Sequence, residues 1–227
     1  MTTSTNSLGQ PIGTPVPDWR GCAPIPHSPM HGRTCHIVPL DLAHAADLHS
    51  AFSADATGAL WTYMPTGPFD TAADYRAWVA DACQSRDPLF FTIIDQSNVK
   101  PVGVASYLRI QPQNGVAEVG YITFAPTLQR TIMATEAMYL MMKRVFDELG
   151  YRRYEWKCDA LNAPSRRAAE RLGFTYEGTF RQALVYKGRN RDTAWFSMLD
   201  HAWPRKRQAF ETWLSVDNFD ATGQQIA

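Results

Sequence analysis

The period of the apolar positions changes several times along the chain, and each change marks an element. Leu42, Ala45, Ala46, Leu48, His49 and Phe52 recur at helical spacing behind Asp41, whose carboxylate suits a helix N-cap. A short apolar stretch at 36–40 ahead of them reads as a first strand. Tyr75, Trp78, Val79 and Ala82 form the apolar face of a second helix over 71–85, capped by Asp70 or Thr71. The pattern then becomes continuous. Apolar runs at 89–94 and 102–110, joined by a polar turn at 95–98, predict a hairpin. A turn at 112–115 leads into a third strand over 116–124, which Ala125 and Pro126 end.

The clearest helix covers 131–149. Ala134, Met138, Met141, Val145 and Leu149 share one face, and Gly150 supplies a residue able to leave the helix in a left-handed turn. A strand at 154–158, a short helix at 163–172 ending at Gly173, and a long hairpin over 174–186 and 193–200 follow. A last helix is predicted over 203–214, then a frayed tail over 217–227. Before all of this, Pro11, Pro15, Pro17, Pro24, Pro26 and Pro29 forbid a helix and discourage a central strand, so residues 1–33 read as an extended arm lying on the domain. Trp19 is its natural anchor, and the first ten or so residues are the part most prone to disorder. Helices and strands interleave, which predicts a mixed α/β chain around one central sheet.

Composition narrows the partners. The 227 residues suit one domain with tails, and Lys plus Arg balances Asp plus Glu at 22 each. A neutral balance gives no electrostatic footprint for nucleic acid or a membrane surface. Cys22, Cys35, Cys83 and Cys158 fit neither a zinc signature nor a small-domain disulfide framework. No apolar stretch is long enough to span a bilayer, and the polar start lacks a signal core. A cytoplasmic protein without a metal, nucleic-acid or membrane partner is expected, as monomer or homodimer.

Two stretches can carry chemistry. In the first, the strand containing Glu118, Ile122, Thr123 and Phe124 runs through a short loop into Gln129, Arg130, Thr131, Ile132, Met133, Ala134 and Thr135 at the start of the long helix. First-turn N–H groups lack intrahelical partners and the helix dipole favours anions, so a pyrophosphate fits there; an ordinary strand-to-helix connection fits equally well on geometry alone. In the second, Asn162, Ala163, Pro164 and Ser165 lead towards Leu172, Gly173 and Phe174. Asn at N-cap, Pro in the first turn and Ser at the third position also make a sound helix start with no ligand at all.

Taken together, the 129–137 loop and the run from Asn162 through Ser165 to Phe174 resemble the GCN5-related N-acetyltransferase (GNAT) superfamily, in particular its RimJ/RimL-type branch, which acetylates ribosomal-protein N-termini. The resemblance covers roughly 34–203, with 1–33 as the arm and 204–227 as the terminal helix and tail. It implies a central, mostly antiparallel sheet of about seven strands, splayed in the middle and flanked by helices on both faces. It implies acetyl-coenzyme A as co-substrate, with the diphosphate held by Gln129 to Thr135 and the pantetheine arm paired with Ile122, Thr123 and Phe124, beside Asn162 and Ser165. A backbone N–H near 122–124 would polarise the thioester carbonyl. Ile132 stands where the family's phosphate loop carries its first glycine, a departure that the Thr131 hydroxyl could offset.

The same resemblance implies Glu118 as general base and Ser165 as the acid for the departing thiolate, because Ala169 occupies the position of the usual tyrosine. The implied acceptor is a protein N-terminal α-amine. A small amine, or a non-catalytic acyl-coenzyme A sensor on the same fold, are the alternatives. Lys187, Arg189, Arg191 and Asp192 flank the last hairpin turn, where Asp192 could meet a cationic amine.

Overall fold

The computed structural model describes residues 4–220 and 225–226. Strands β1 (Ser4–Thr5) and β2 (Pro11–Ile12) pair with each other at the start of the arm. The rest builds one sheet of eight strands: β3 (Met30–His31), β4 (Cys35–Pro39), β5 (Leu89–Asp95), β6 (Lys100–Gln111), β7 (Val116–Phe124), β8 (Arg153–Asp159), β9 (Thr175–Tyr186) and β10 (Arg189–Leu199). Their order is β3-β4-β5-β6-β7-β8-β10-β9, with β7 and β8 the parallel neighbours. The sheet thus has eight strands rather than about seven. The addition is β3, which lies in the proline-rich arm where no period announces a strand.

Helices α1 (Ala45–Phe52) and α2 (Ala72–Gln84) cover one face; α3 (Ile132–Lys143), α4 (Ala163–Arg171) and α5 (Trp203–Trp213) cover the other. The continuous apolar runs follow from that, because both faces of a central strand are buried. Phe90 packs with Leu48, Phe52 and Val79 under α1 and α2, whereas its neighbour Phe91 packs with Met138 and Met141 of α3. Asp41 caps a single 3₁₀ turn ahead of α1, accepting from Ala43 N–H while His44 Nδ1 accepts from Asp41 N–H. Thr71 caps α2.

The long helix differs from expectation at its end. Regular α3 stops at Lys143, and Arg144–Glu148 widens into a π turn. Arg144 is buried there and donates to the carbonyls of Ser28 and Pro29, fastening the arm to the helix. Trp19 Nε1 donates to Gln113 O at 2.7 Å, and Arg152 stacks over its ring. Where the arm enters β4, Glu136 of α3 accepts from the backbone N–H groups of Arg33, Thr34 and Cys35 and from the Thr34 hydroxyl. Gly32 permits the approach, since a Cβ there would lie 2.7 Å from Glu136 Cδ. The segment expected to fray carries a 3₁₀ turn at Val216–Asn218 and a bridge from Phe219 to Gln225; residues 221–224 and 227 lie outside the described part. No helix among the described residues is long and apolar enough to cross a membrane.

Candidate active site

The site begins where the sheet splits. β7 pairs with β8 only from Val116 to Val119 against Arg153 to Trp156. Past that rung, β7 continues to Phe124 and β8 to Asp159 with no hydrogen bonds between them. Tyr121, with φ of 50°, and Ile122 together oppose one residue of β6, a bulge between the rungs Ser106↔Gly120 and Val104↔Thr123. A bulge leaves ladder groups unpaired and re-aims side chains. Here it turns Tyr121 towards Phe90, ring centroids 5.1 Å apart, and exposes backbone of β7 at the edge of the split. Ile122 and Phe124 remain packed against the core, and Thr123, buried, donates to Tyr121 O.

The helix start sits at the head of this opening. Gln129 Nε2 donates to Phe124 O, folding the loop back on β7, and Arg130 takes φ of 62°. Thr131 is the N-cap: its hydroxyl donates to Leu128 O at 2.7 Å and accepts from Ala134 N–H at 3.1 Å. That corrects two expectations. The Thr131 hydroxyl is engaged inside the loop, so it does not compensate for Ile132, and the Ala134 amide is capped rather than free for a phosphate. Thr135 is buried too, with its hydroxyl accepting from Arg171 Nη1. What remains are the amides of Ile132 and Met133, the first two helical residues, which have no acceptor among the described residues. Arg130, Thr131, Ile132 and Met133 line an open cleft of about 530 Å³, walled also by Thr34, Trp213, Phe219 and Gln225. Ile132 forms a wall of the cleft and does not close it. Fewer free amides remain at the helix start than the sequence suggested.

On the other bank, Asn162 caps α4 by accepting from Ser165 N–H, as its non-ligand reading requires. Ser165 Oγ accepts from Trp156 Nε1 at 3.0 Å. Cys158 also lies near this hydroxyl: burial pushes its thiol above the ordinary value, and the hydrogen bond with Ser165 partly offsets that. Ala169 is fully buried beneath.

Glu118 lies on the opposite face of the sheet, buried, with Oε2 at 2.6 Å from Arg109 Nη1 and 2.9 Å from Lys157 Nζ. Lys157 is also 2.7 Å from Glu155 Oε2 and sits 3.7 Å over the Trp195 ring. Glu155 in turn meets Arg153, which bridges to Glu177. The carboxylate expected to take a proton is thus matched by two cations, a partnership the spacing of Glu118 from Gln129 could not reveal. Asp192 is not turned to the cleft: its carboxylate accepts from Gln182 N–H and Asn190 Nδ2. The connection between α1 and α2 roofs this face. Lys187 Nζ donates to Trp61 O and Tyr63 OH to Leu161 O. No group of three or more His, Cys, Asp or Glu side chains is placed to hold a metal among the described residues.

Comparison with known proteins agrees with this geometry. Residues 35–175 match the acetyltransferase (GNAT) domain family. A GCN5-related N-acetyltransferase from Brucella melitensis superposes with a TM-score of 0.90 at 45% identity, covering 92% of this chain and 96% of that one. The uncharacterised N-acetyltransferase p20 of Bacillus licheniformis is 29% identical over 140 residues, 60% of this chain and 78% of its own. YdaF of Bacillus subtilis, whose name assigns it provisionally to ribosomal N-acetylation, is 30% identical over 101 residues, 44% of this chain and 55% of its own. A split sheet, a helix start opening on a cleft and these relatives lead to one conclusion: the chain belongs to the GNAT family of acyl-coenzyme A–dependent N-acetyltransferases.

Proposed function

We propose that this enzyme transfers the acetyl group of acetyl-coenzyme A to a protein or peptide N-terminal α-amine. The observation that carries the reading is the joint placement of two free helical amides, at Ile132 and Met133, and the split between β7 and β8. The amides suit the diphosphate, and the split suits the pantetheine arm. Acetyl-coenzyme A supplies an activated thioester, and the neutral amine attacks its carbonyl as the thiolate leaves.

The protein's own groups have three tasks. The bulged backbone at Tyr121–Ile122 polarises the carbonyl; one such donor is typically worth about 10² to 10³ in rate. Ser165 gives its proton to the departing thiolate and regains one, through water, as the attacking amine sheds its proton and becomes the amide. Because Trp156 Nε1 donates to Ser165 Oγ, the serine keeps its own proton to give. Orientation across the split supplies much of the rest. Glu118, matched by Arg109 and Lys157, shapes the acceptor face rather than taking the proton directly.

An α-amine suits a site whose expected base, Glu118, is already ion-paired. Its pKa is about 7.7 to 8.0 against about 10.4 for lysine, so a useful fraction is already uncharged at neutral pH. The similarity to YdaF and its name point the same way. Thiol release from acetyl-coenzyme A, measured against peptides with free and blocked N-termini and against small amines, tests the proposal. Turnover of free-terminus peptides alone is expected; equal turnover of blocked peptides carrying lysine, or of small amines only, would overturn the acceptor assignment.

A further inference from the structure

Among the described residues four carboxylates are buried: Glu118, Glu136, Glu155 and Asp159. Glu118 and Glu155 are ion-paired, and Glu136 accepts a ring of backbone amides. Asp159, 5% exposed, has only neutral partners: Leu161 N–H at 2.8 Å and Tyr186 OH at 2.9 Å. It makes no ion pair among the described residues. A buried carboxylate without a countercharge is costly unless a cation joins it.

Its position says which cation. Asp159 ends β8 at the open end of the split, on the face roofed by the α1–α2 connection. Thr193 of β10 is its cross-strand partner, and the Thr193 hydroxyl, in a residue only 4% exposed, has no hydrogen-bond partner among the described residues. Two polar groups in register, one lacking an ion pair and the other lacking any hydrogen-bond partner among the described residues, lie at the end of β8 beyond its last rung with β7. Nearby cations are engaged elsewhere. Lys157 holds Glu118 and Glu155, Lys187 donates to Trp61 O and Arg166 donates to Ala160 O, whereas Arg191, its buried Nε without a hydrogen-bond partner among the described residues, lies 5.8 Å from the centre of the Tyr186 ring and forms no ion pair with Asp159. Burial and the bond to Asp159 push the Tyr186 hydroxyl up to about 12, so at neutral pH it stays a donor to that carboxylate.

We infer that Asp159, with Thr193 and held by Tyr186, is the subsite that binds the primary ammonium of the acceptor. The inference rests on the acetyl-transfer reading and adds to it the group that recognises the amine in its protonated form, before it loses a proton to water and attacks as the neutral amine. Glu118 does not fill that place, since Arg109 and Lys157 already match its charge, and Asp192, unlike Asp159, is not buried.

The test has a binding arm and a turnover arm. In the first, coenzyme A–loaded protein is titrated by calorimetry with a seryl tetrapeptide amide, its N-terminus free or acetylated. Wild type binds the free peptide at least tenfold more tightly, and Asp159→Asn abolishes the preference; a charge-assisted hydrogen bond exceeds a neutral one by about that factor. In the second, Asp159→Asn raises the acceptor KM about tenfold and leaves the acetyl-coenzyme A KM within about twofold. Asn Oδ1 can still accept from Leu161 N–H, so the fold keeps that contact. Should this variant fail to fold, Thr193→Val carries the test, because it removes a hydroxyl with no protein partner; an acceptor KM raised about threefold is expected. Equal binding of free and blocked peptide by wild type, or unchanged preference and KM in the variants, overturns the subsite. A wild type that acetylates no amine sinks the transfer reading instead, while the calorimetry still decides the subsite.

Discussion

Lys157 Nζ lies 2.9 Å from Glu118 Oε2 at the crotch of the split, one residue beyond the last rung that joins β7 to β8. The pair ties the two strands just before they part, and both side chains are about 95% shielded from solvent. Lys157→Met leaves Glu118 and Glu155 facing each other with only Arg109 and Arg153 outside them. Unfolding free energy should fall by about 3 kcal/mol, as for other broken buried pairs. Denaturant titration measures it. Exchanging both glutamates for Gln in the Met variant should recover part of the loss, because no uncompensated buried carboxylate then remains.

Ile132 is the first helical residue, and Thr131 before it is extended at φ −102° and ψ 165°. Proline is tolerated at such a position, and an extended residue before it is the preferred one. Ile132→Pro should therefore change stability by less than about 1 kcal/mol, apart from the packing of a partly exposed side chain, while deleting one of the two free amides. Acetyl-coenzyme A affinity should drop about tenfold to 100-fold, the worth of one hydrogen bond to a charged group. Calorimetry with acetyl-coenzyme A reads it. Unchanged affinity in a folded variant would move the diphosphate elsewhere.

Ser165→Ala should lower kcat about 100-fold with acetyl-coenzyme A KM unchanged, as expected for loss of a proton donor that acts only on the leaving thiolate. It also strips Trp156 Nε1 of its acceptor, so a stability loss of about 1–2 kcal/mol accompanies it. Stopped-flow thiol release and thermal melts separate the two effects. A kcat within about threefold of wild type would remove Ser165 from the chemistry.

His44 supplies a pH dependence. Burial lowers its pKa below the ordinary 6.5, and its Nδ1 accepts from Asp41 N–H and lies 3.0 Å from the Thr92 hydroxyl. As pH falls through about 6.5, the unfolded chain takes a proton that the folded chain refuses, so unfolding becomes easier. Its contribution to stability is fully present above that pH and is lost as pH falls through the lower folded value. His44→Gln should flatten the stability curve below neutrality, measured by urea titration across pH. An unaltered slope would show that the ring protonates freely in the folded state.

The order of helices and strands was largely legible in the residues, and so were the caps at Asp41 and Asn162 and, as one of two candidates, Thr71, because capping and periodicity are local properties of a few neighbouring side chains. The family followed from two local stretches, 129–137 and 162–174, each written on a single strand-to-helix turn. Strand β3 and the π turn at Arg144–Glu148 were not legible. The first exists because β4 offers it an edge; the second accompanies the seating of the arm's carbonyls on Arg144.

Which polar groups are free is likewise a matter of three dimensions. From spacing alone, Thr131, Ala134 and Glu118 looked available and Asp159 drew no notice. Contacts from strands distant in sequence reversed that: Arg109 and Lys157 match Glu118, the N-cap closes on Ala134, and Tyr186, 27 residues away, turns Asp159 into a buried acid without a cation. The sequence determined the elements and the helix starts, since hydrogen bonds within a turn and one-sided burial decide those. Tertiary packing decided where charge is matched and where it is left wanting, because that balance depends on side chains the chain order keeps far apart.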